Sequence, residues 1–529
     1  MDLSVYMTFQ YLPAYYDEIF SQIDELLTHG EHLPALAKLD SLIHGTDELK
    51  FQHVLINYKI NNESYNQFKN DNPIAYLWDS LGSIADSFLQ HETYIVSLET
   101  SIVLKDKLAV EDLVKKSSEF KKSILSSPDE EINYFESQLQ FLISLYFLRI
   151  KFDYKNAIEN LKESIKQFNR YNNKVGLIQA YYWMGYSFYK NGESSEAFSM
   201  FTKSKELAQD LENKFWTGRN AHYLGKIYSE KESWSESTKF LNEALELYSY
   251  LGLKNLQSGV LIDIVSDLFQ IKDFPKIELY LNDRLKISKE YNLTQDFISS
   301  SYWLAYLYEY QGNVDKALET YQQTLEFLAK IQYLDEIHRC SAHISYLNAH
   351  KHDQLPDHLD WKYELENSQQ PWKIVIVCNG NISRSPYIEF IMKKRIHDKY
   401  PQLEEVLTIE SMGVLYPNVK MNHLTEDYLL KDGFTEKEIE QHTPRYWEDY
   451  SDLHENASIF ITVTGEQAQY LNFYYPGKAF MLSYVAEEKF ENIIDPAVHR
   501  ADAESLFKIM KNFTYEVVEN LSNLVSKKQ

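Results

Sequence analysis

Residues 374–386 read IVIVCNGNISRSP, and this stretch decides the fold of the carboxyl-terminal part of the chain. The four apolar residues 374–377, bounded by turn-forming residues, are typical of a buried parallel strand. Ser385 suits a helix N-cap and Pro386 the first helical position, so a helix is predicted to begin there. Cys378 then opens a loop between the end of a strand and the start of a helix. Backbone N–H groups converge in such loops and favour an anion.

Two side chains of this loop indicate its chemistry. Cys378 supplies a thiol, and the thiolate form is favoured beside a helix N-terminus and a guanidinium. Arg384 supplies that guanidinium, whose planar fork can grip two phosphate oxygens. A thiolate, a ring of amides and a guanidinium around one small pocket suit attack on a phosphate ester.

Alternating strand and helix patterns continue to the end of the chain. Strands are predicted near 373–377, 405–410, 458–463 and 478–482, and helices near 386–398, 423–431, 466–472 and from about 501. This order predicts an α/β domain over 372–529, with a parallel sheet of about four strands flanked by helices. Ligands of such sheets bind at the carboxyl ends of strands, which is where Cys378 falls.

A repeat of 40 residues precedes this domain. Small residues recur at one position, as in Gly185 and Gly225, and large ones recur 16 residues later, as in Phe201 and Leu241. Stacked helical hairpins need small residues where two helices cross, with large residues filling the gap. The pattern weakens over 260–290, where Pro275 stands at an expected hairpin turn.

The repeat resembles the tetratricopeptide family in its longer-period form. The resemblance implies an α-helical repeat solenoid over 135–348, with a surface for a peptide or protein partner. Residues 1–134 are interpreted as divergent repeats or a helical cap, because the step from Gly30 to Ala35 echoes a hairpin turn. Residues 349–371 are interpreted as a linker.

Bulk composition excludes several classes of function. The formal net charge of −25 over 529 residues argues against nucleic-acid and anionic-membrane partners. No apolar run is long enough to span a bilayer, and no secretory signal is evident, so a cytoplasmic location is expected. The two cysteines, Cys340 and Cys378, give no disulfide framework, and no clustered ligands predict a metal site or a cofactor.

The segment 372–529 resembles the low-molecular-weight protein tyrosine phosphatases and the arsenate reductases that share their fold. Cys378–Ser385 matches the family's Cys-x5-Arg-Ser loop with its internal Gly-Asn pair. Ser411-x-Gly413 follows the second predicted strand, and His442-x-x-Arg445 matches a further family element. Asp495-Pro496 follows 117 residues after the cysteine.

Chemistry gives the loop residues their predicted roles. Cys378 attacks phosphorus, and Ser385 donates a hydrogen bond to the sulfur, which eases its departure from a phosphocysteine. Asp495 protonates the leaving oxygen and then deprotonates a water. The equatorial oxygens bind to the amides and the guanidinium of the phosphate-binding loop. The predicted phosphate-binding residues are Asn379, Gly380, Asn381, Ile382, Ser383 and Arg384.

Two residues outside the loop are predicted to support it. Ser411 is expected to hold the loop open together with the side chain of Asn381, through hydrogen bonds. The family resemblance implies that His442 joins this network. Tyr416 is a candidate wall of the substrate pocket.

Departures from the family pattern keep three functions open. Ser383 replaces a frequent second cysteine, Ala497-Val498 replaces aromatic residues that stack on phosphotyrosine, and Asn379 makes an apolar wall polar. The first function is a phosphatase acting on phosphotyrosine or other phosphoesters. The second is an arsenate reductase that uses an external thiol, since no cysteine follows Cys378. The third is a non-catalytic phosphate- or phosphopeptide-sensing scaffold.

Overall fold

The computed structural model divides the chain into two compact units, residues 1–267 and 268–529. The structure describes residues 107–126, 135–351, 360–415, 417–489 and 491–526, with scattered positions between 22 and 102. Gly30 and most of the predicted amino-terminal region lie outside the described residues, as does Tyr416. Among the described helices, none is both long and apolar enough to cross a membrane.

The first unit is built from paired helices of nearly constant length. The described helices between residues 154 and 270 are each 17 residues long and are separated by three-residue turns. The helices are α1 Lys107–Ser126, α2 Phe135–Tyr146, α3 Tyr154–Arg170, α4 Lys174–Lys190, α5 Ser194–Asp210, α6 Lys214–Glu230, α7 Trp234–Tyr250 and α8 Lys254–Gln270, which crosses into the second unit; a π-helical segment, Phe147–Lys151, follows α2.

The turns between these helices share one backbone conformation. The middle residue of each has a positive φ, which glycine adopts without steric cost, as at Gly192 (φ 82°) and Gly252 (φ 70°). Other turns hold the same conformation with a side chain, as at Glu232 (φ 58°) and Lys272 (φ 59°). The repeat therefore continues through turns that lack glycine, including the stretch 260–290, where the sequence pattern weakens.

Close helix crossings explain the small residues of the repeat. A Cβ added at Gly185 would lie 3.0 Å from the ring of Phe201, and one added at Gly225 would lie 2.7 Å from Leu241. Phe201 and Leu241 are fully buried. The predicted pairing of a small residue with a large one 16 positions later is confirmed at both crossings.

The second unit continues the paired helices and then forms the α/β domain. The repeat helices are α9 Phe274–Glu290, α10 Thr294–Tyr310, α11 Val314–Ile331 and α12 Leu334–Lys351. The elements after them are α13 Trp361–Asn367, β1 Trp372–Cys378, α14 Arg384–Lys399, β2 Leu407–Gly413, α15 His423–Lys431, α16 Glu436–Glu440, α17 Ser451–Glu455, β3 Ile459–Thr462, α18 Gly465–Tyr474, β4 Ala479–Met481, α19 Leu482–Glu487 and α20 Ala503–Ser526.

The four strands form one parallel sheet in the order β2-β1-β3-β4. The predicted parallel sheet with flanking helices is confirmed. After β1 the chain forms β2 on one side and then β3 on the other, so the strand order reverses at β1. Such reversal points are where α/β sheets bind ligands, and Cys378 ends β1 there.

Alternating residues of β1 face two apolar layers. Ile374 and Ile376 pack with residues of α14 and α20, such as Ile388 and Val517. The opposite face, with Val375 and its neighbours, packs against residues of β3 and α18. Burial on both faces is why β1 reads as a continuous apolar run.

Two local predictions are wrong. Helix α14 begins at Arg384 with Ser383 as its N-cap residue, not at Pro386 after Ser385. The Ser385 hydroxyl is used inside the site instead, as described below. Pro275 lies in the first turn of α9 rather than in the hairpin turn, because its missing N–H is not needed there. Within the segment interpreted as a linker, α13 buries Trp361 and Leu365 in the apolar core; the domain boundaries themselves stay predictions.

Candidate active site

The loop from Cys378 to Arg384 turns its carbonyl groups outward. Five consecutive carbonyls, of residues 378–382, accept hydrogen bonds from groups outside the loop. Because the N–H and C=O of a trans peptide point in opposite directions, the amides face the inner side of the loop. The donors are Val414 N (3.1 Å), Leu415 N (2.9 Å), Asn418 Nδ2 (2.8 Å), His442 Nε2 (3.4 Å) and Asn422 N (2.9 Å), in the order of the carbonyls they reach.

Gly413, at the end of β2, lets this loop approach the sheet. A Cβ at this position would lie 2.7 Å from the carbonyl carbon of Gly380 and 2.9 Å from the amide nitrogen of Asn381. Backbone atoms cannot move aside as a flexible side chain can. Only glycine at position 413 is compatible with the loop geometry, which accounts for the Ser411-x-Gly413 motif.

A chain of buried hydrogen bonds leads to the cysteine sulfur. The Ser385 hydroxyl lies 3.0 Å from Cys378 Sγ and accepts a hydrogen bond from Asn381 Nδ2, also at 3.0 Å. Asn381 Nδ2 also donates to Ser411 Oγ at 2.7 Å, and the Ser411 hydroxyl donates to Glu389 Oε2. The structure thus places Ser385, Asn381 and Ser411 in one network that orients the Ser385 proton toward the sulfur.

Asn381 is fixed from its other side by Arg445. The Arg445 amide donates to Asn381 Oδ1 at 2.8 Å, and its guanidinium donates to Glu410 and to the Ser411 carbonyl. Asn381 itself has a φ of 54°, a conformation that asparagine tolerates better than most residues. Arg445 therefore explains the second member of the His-x-x-Arg motif.

Glu389 is a site residue that the sequence reasoning missed. Burial raises the pKa of this carboxyl, but Lys393, Arg445 and the Ser411 hydroxyl outweigh burial, so its pKa lies below the usual value. A buried carboxylate is thereby kept charged beneath the loop. Its position four residues after Ser385 places it on the same face of α14, and this helical spacing is the signal that could have found it.

The carboxylate of Asp495 lies against the arginine of the loop. Asp495 Oδ2 is 3.1 Å from Arg384 Nη2, and the Ser383 hydroxyl donates to Oδ1 at 3.1 Å. Arg384 is 4% exposed, and its Nη1 donates to the carbonyl of Ile493 at 2.8 Å. Asp495 and Arg384, which are 111 positions apart in the sequence, are therefore brought together at the carboxyl end of β1.

The rim of the loop contacts two further residues. His442 packs edge-on against Phe390, and burial lowers the pKa of its ring below the usual value. The sequence reasoning missed Gln467, whose Nε2 donates to Asn379 Oδ1 at 2.6 Å and whose Oε1 accepts from the Val463 amide. Gln467 lies in α18, the helix that follows β3.

The repeats are also recognised by comparison with known proteins. Residues 179–207 and 299–326 match the tetratricopeptide repeat family model. Tetratricopeptide repeat protein 29 of Macaca fascicularis is 20% identical over 176 residues, which are 33% of this chain and 37% of that protein. This chain therefore spans little more than a third of the curated relative that it matches. The chain contains tetratricopeptide repeats.

Solved structures are similar to parts of the chain. A low-molecular-weight protein tyrosine phosphatase from Bacillus subtilis is 22% identical, with a TM-score of 0.24, and the match covers 29% of this chain and 97% of that one. A Rap protein complexed with competence and sporulation factor is 12% identical, with a TM-score of 0.40, and covers 64% of this chain and 99% of that one.

Proposed function

We propose that the α/β domain is a phosphatase that hydrolyses phosphate monoesters through a phosphocysteine on Cys378. One observation carries the proposal. The Ser385 hydroxyl donates a hydrogen bond to the cysteine sulfur, while Arg384 and Asp495 form an ion pair of 3.1 Å at the same strand end. A nucleophile, an anion-binding fork and an acid are the groups that a two-step phosphoryl transfer needs.

In the first step the Cys378 thiolate forms an S–P bond while the P–O ester bond breaks. The leaving oxygen takes the pair of electrons from that bond and a proton from Asp495. The inward amides of the loop and the Arg384 guanidinium bind the three equatorial oxygens, where charge is spread in the transition state. Asp495 must carry a proton and turn from Arg384 to the leaving oxygen.

In the second step a water forms a new P–O bond and the S–P bond breaks. Asp495, now a carboxylate, accepts the proton from the water. The sulfur leaves as a thiolate, which the Ser385 hydroxyl stabilises as a hydrogen-bond donor. Inorganic phosphate is released and the protonated acid is restored.

The residues around the loop bear on the substrate. Asn379 and Gln467 make one side of the rim polar, and Ala497 and Val498 place no ring beside Asp495. We therefore propose phosphotyrosine as one substrate among other phosphoesters. The tetratricopeptide repeats are proposed to bind the protein or peptide partner, and a cytoplasmic location stays a prediction.

The test is hydrolysis of p-nitrophenyl phosphate and of a phosphotyrosine peptide by the full chain. We expect turnover by the wild type and none by Cys378→Ser. Cys340→Ser is the matched control, because Cys340 is buried in α12 and burial raises the pKa of its thiol to about 12. Equal inactivity of the wild type and Cys378→Ser in folded protein contradicts the proposal.

Two further arms separate the other functions. Faster arsenate reduction than ester hydrolysis, with glutathione as the thiol, identifies an arsenate reductase. Binding of a phosphopeptide with no turnover from acidic to neutral pH identifies a sensing scaffold.

A further inference from the structure

The loop that carries Asp495 is held by residues of the repeat helices. This acid loop, residues 493–502, lies in the same compact unit as the end of α8 and all of α10. Gln270, the last residue of α8, is 8% exposed and contacts the loop backbone at two points. Its Nε2 donates to the carbonyl of Val498, and its Oε1 accepts from the Arg500 amide at 2.8 Å.

His499 anchors the same loop between aromatic rings of the repeats. The imidazole is 2% exposed and stacks on Tyr310, with ring centroids 5.0 Å apart and planes inclined by 19°. Its Nε2 lies 2.7 Å from the hydroxyl of Tyr306, and Phe269 packs against its edge. Burial lowers the pKa of His499, which favours the neutral form of the ring.

The residues that the repeats hold are those that hold Asp495. The amides of Val498 and His499 both donate to the Asp495 carbonyl at 3.0 Å. The Asp495 side chain accepts from the Ala497 amide at 3.0 Å, within the same turn. A shift of Val498 or His499 would therefore move the carboxylate relative to Arg384.

We propose that the repeats position the catalytic acid: Gln270 and Tyr306 hold the acid loop, and so determine how well Asp495 protonates the leaving group. This inference rests on the proposed phosphatase function. Gln270 and Tyr306 are positioning residues, since they act through the loop and not on the substrate. The repeat array thereby becomes part of the active site's support and not only a surface for partners.

The experiment compares leaving groups, because a poor leaving group needs the acid and a good one does not. kcat/KM is measured for phenyl phosphate and for 2,4-dinitrophenyl phosphate, with full-length variants. Gln270→Ala is expected to lower kcat/KM about tenfold for phenyl phosphate and less than about twofold for the dinitrophenyl ester. Tyr306→Phe, which removes one hydroxyl and keeps the ring, is expected to lower only the phenyl phosphate value, by about threefold.

Two controls isolate positioning from general damage. Tyr186→Phe alters a tyrosine three 40-residue periods before Tyr306 and is expected to leave kcat/KM unchanged for both substrates. In an Asp495→Asn background, Gln270→Ala is expected to cause no further loss, because the acid has already been removed. A purely structural defect would instead lower kcat/KM equally for both substrates, and its effect would add to the loss caused by Asp495→Asn.

The outcomes separate the two proposals. If the wild type lacks Cys378-dependent hydrolysis, the phosphatase function and this inference both fail. If the wild type is active while Gln270→Ala and Tyr306→Phe keep its leaving-group dependence, only the inference fails. If Gln270→Ala does not fold, Tyr306→Phe decides.

Discussion

Asp495 makes interactions that conflict with its proposed role. Its carboxylate pairs with Arg384, the group that a substrate phosphate must also bind. A phosphate oxygen and the carboxylate therefore compete for the same guanidinium. In the proposed mechanism, the acid turns toward the leaving group as the phosphate takes its place on Arg384, which links binding of the phosphate to presentation of the acid.

This competition predicts opposite effects of Asp495→Asn on binding and turnover. The amide keeps an oxygen for the Ala497 amide but loses the charge that attracts Arg384. We expect inorganic phosphate to inhibit the variant about threefold to tenfold more tightly at pH 7, and kcat/KM for phenyl phosphate to fall about 10²-fold or more.

The matched control for that variant is Asp502→Asn. Asp502 lies on the same loop, pairs with Lys272 at 3.0 Å and is partly exposed, so its loss is expected to change neither quantity. Unchanged phosphate inhibition together with retained turnover in Asp495→Asn would contradict both the competition and the acid role.

Among the helices, the distance at which paired helices cross determines where the repeat needs a small residue. Gly225 lies where a side chain would meet Leu241, whereas Gly259 in α8 has its nearest neighbour, His222 Cε1, 4.0 Å from an added Cβ. Two helical glycines of the same unit therefore differ in the space around them. Only the first is required by packing.

The two glycines predict stability changes of opposite sign. Gly225→Ala should destabilise the protein by about 1–2 kcal/mol, because crowding outweighs the better helix propensity of alanine. Gly259→Ala should stabilise it by about 0.5–1 kcal/mol, because the propensity gain meets no clash. Chemical unfolding of the full-length variants measures both, and equal signs would overturn the packing account.

Local patterns predicted the elements well and their boundaries less well. Strand β1 extends one residue beyond its predicted range at each end, and helix α15 has the predicted bounds. Both predictions depend on local signals, since the periodic pattern and the turn residues that flank it are close together in the sequence. The start of α14 was misplaced because Ser385 resembles a cap while its hydroxyl is used on the sulfur. Serine is a favoured N-cap residue, but the side chain of Ser385 takes its position from the tertiary contact with the Cys378 sulfur.

Contacts between distant residues could not be predicted in this way. The loop residues of the site are consecutive in sequence, so a motif found them. Gln270 and Val498 are 228 residues apart, and neither lies in a motif. Gln467 likewise joins the site through a contact between distant elements, which no local pattern records.

At the scale of the whole molecule, a buried carboxyl predicts how stability changes with pH. Burial, reinforced by the nearby charge of Glu466, raises the pKa of Glu309 from its usual 4.5 to about 8. Its Oε1 accepts a hydrogen bond from Tyr321 at 2.8 Å. Between these pKa values the unfolded chain loses a proton that the folded chain keeps, so stability falls as pH rises.

Replacing Glu309 with glutamine should remove this part of the pH dependence. Glu309→Gln keeps the acceptor for Tyr321 and cannot ionise, so we expect stability similar to the wild type near pH 4.5. At pH 8 the variant should be more stable by roughly 4 kcal/mol. Glu319→Gln, at an exposed position of α11, is the control. A difference that does not grow with pH would show that Glu309 ionises normally in the folded protein.

The proposed mechanism requires that phosphate is transferred to Cys378. The most direct measurement is mass spectrometry of full-length Asp495→Asn, acid-quenched during turnover of 2,4-dinitrophenyl phosphate. This ester does not need the acid to form the intermediate, whereas hydrolysis of the intermediate needs the base, so phosphocysteine should accumulate. We expect a phosphoryl group on the peptide that contains Cys378. Ester cleavage with no phosphate on this cysteine would contradict it.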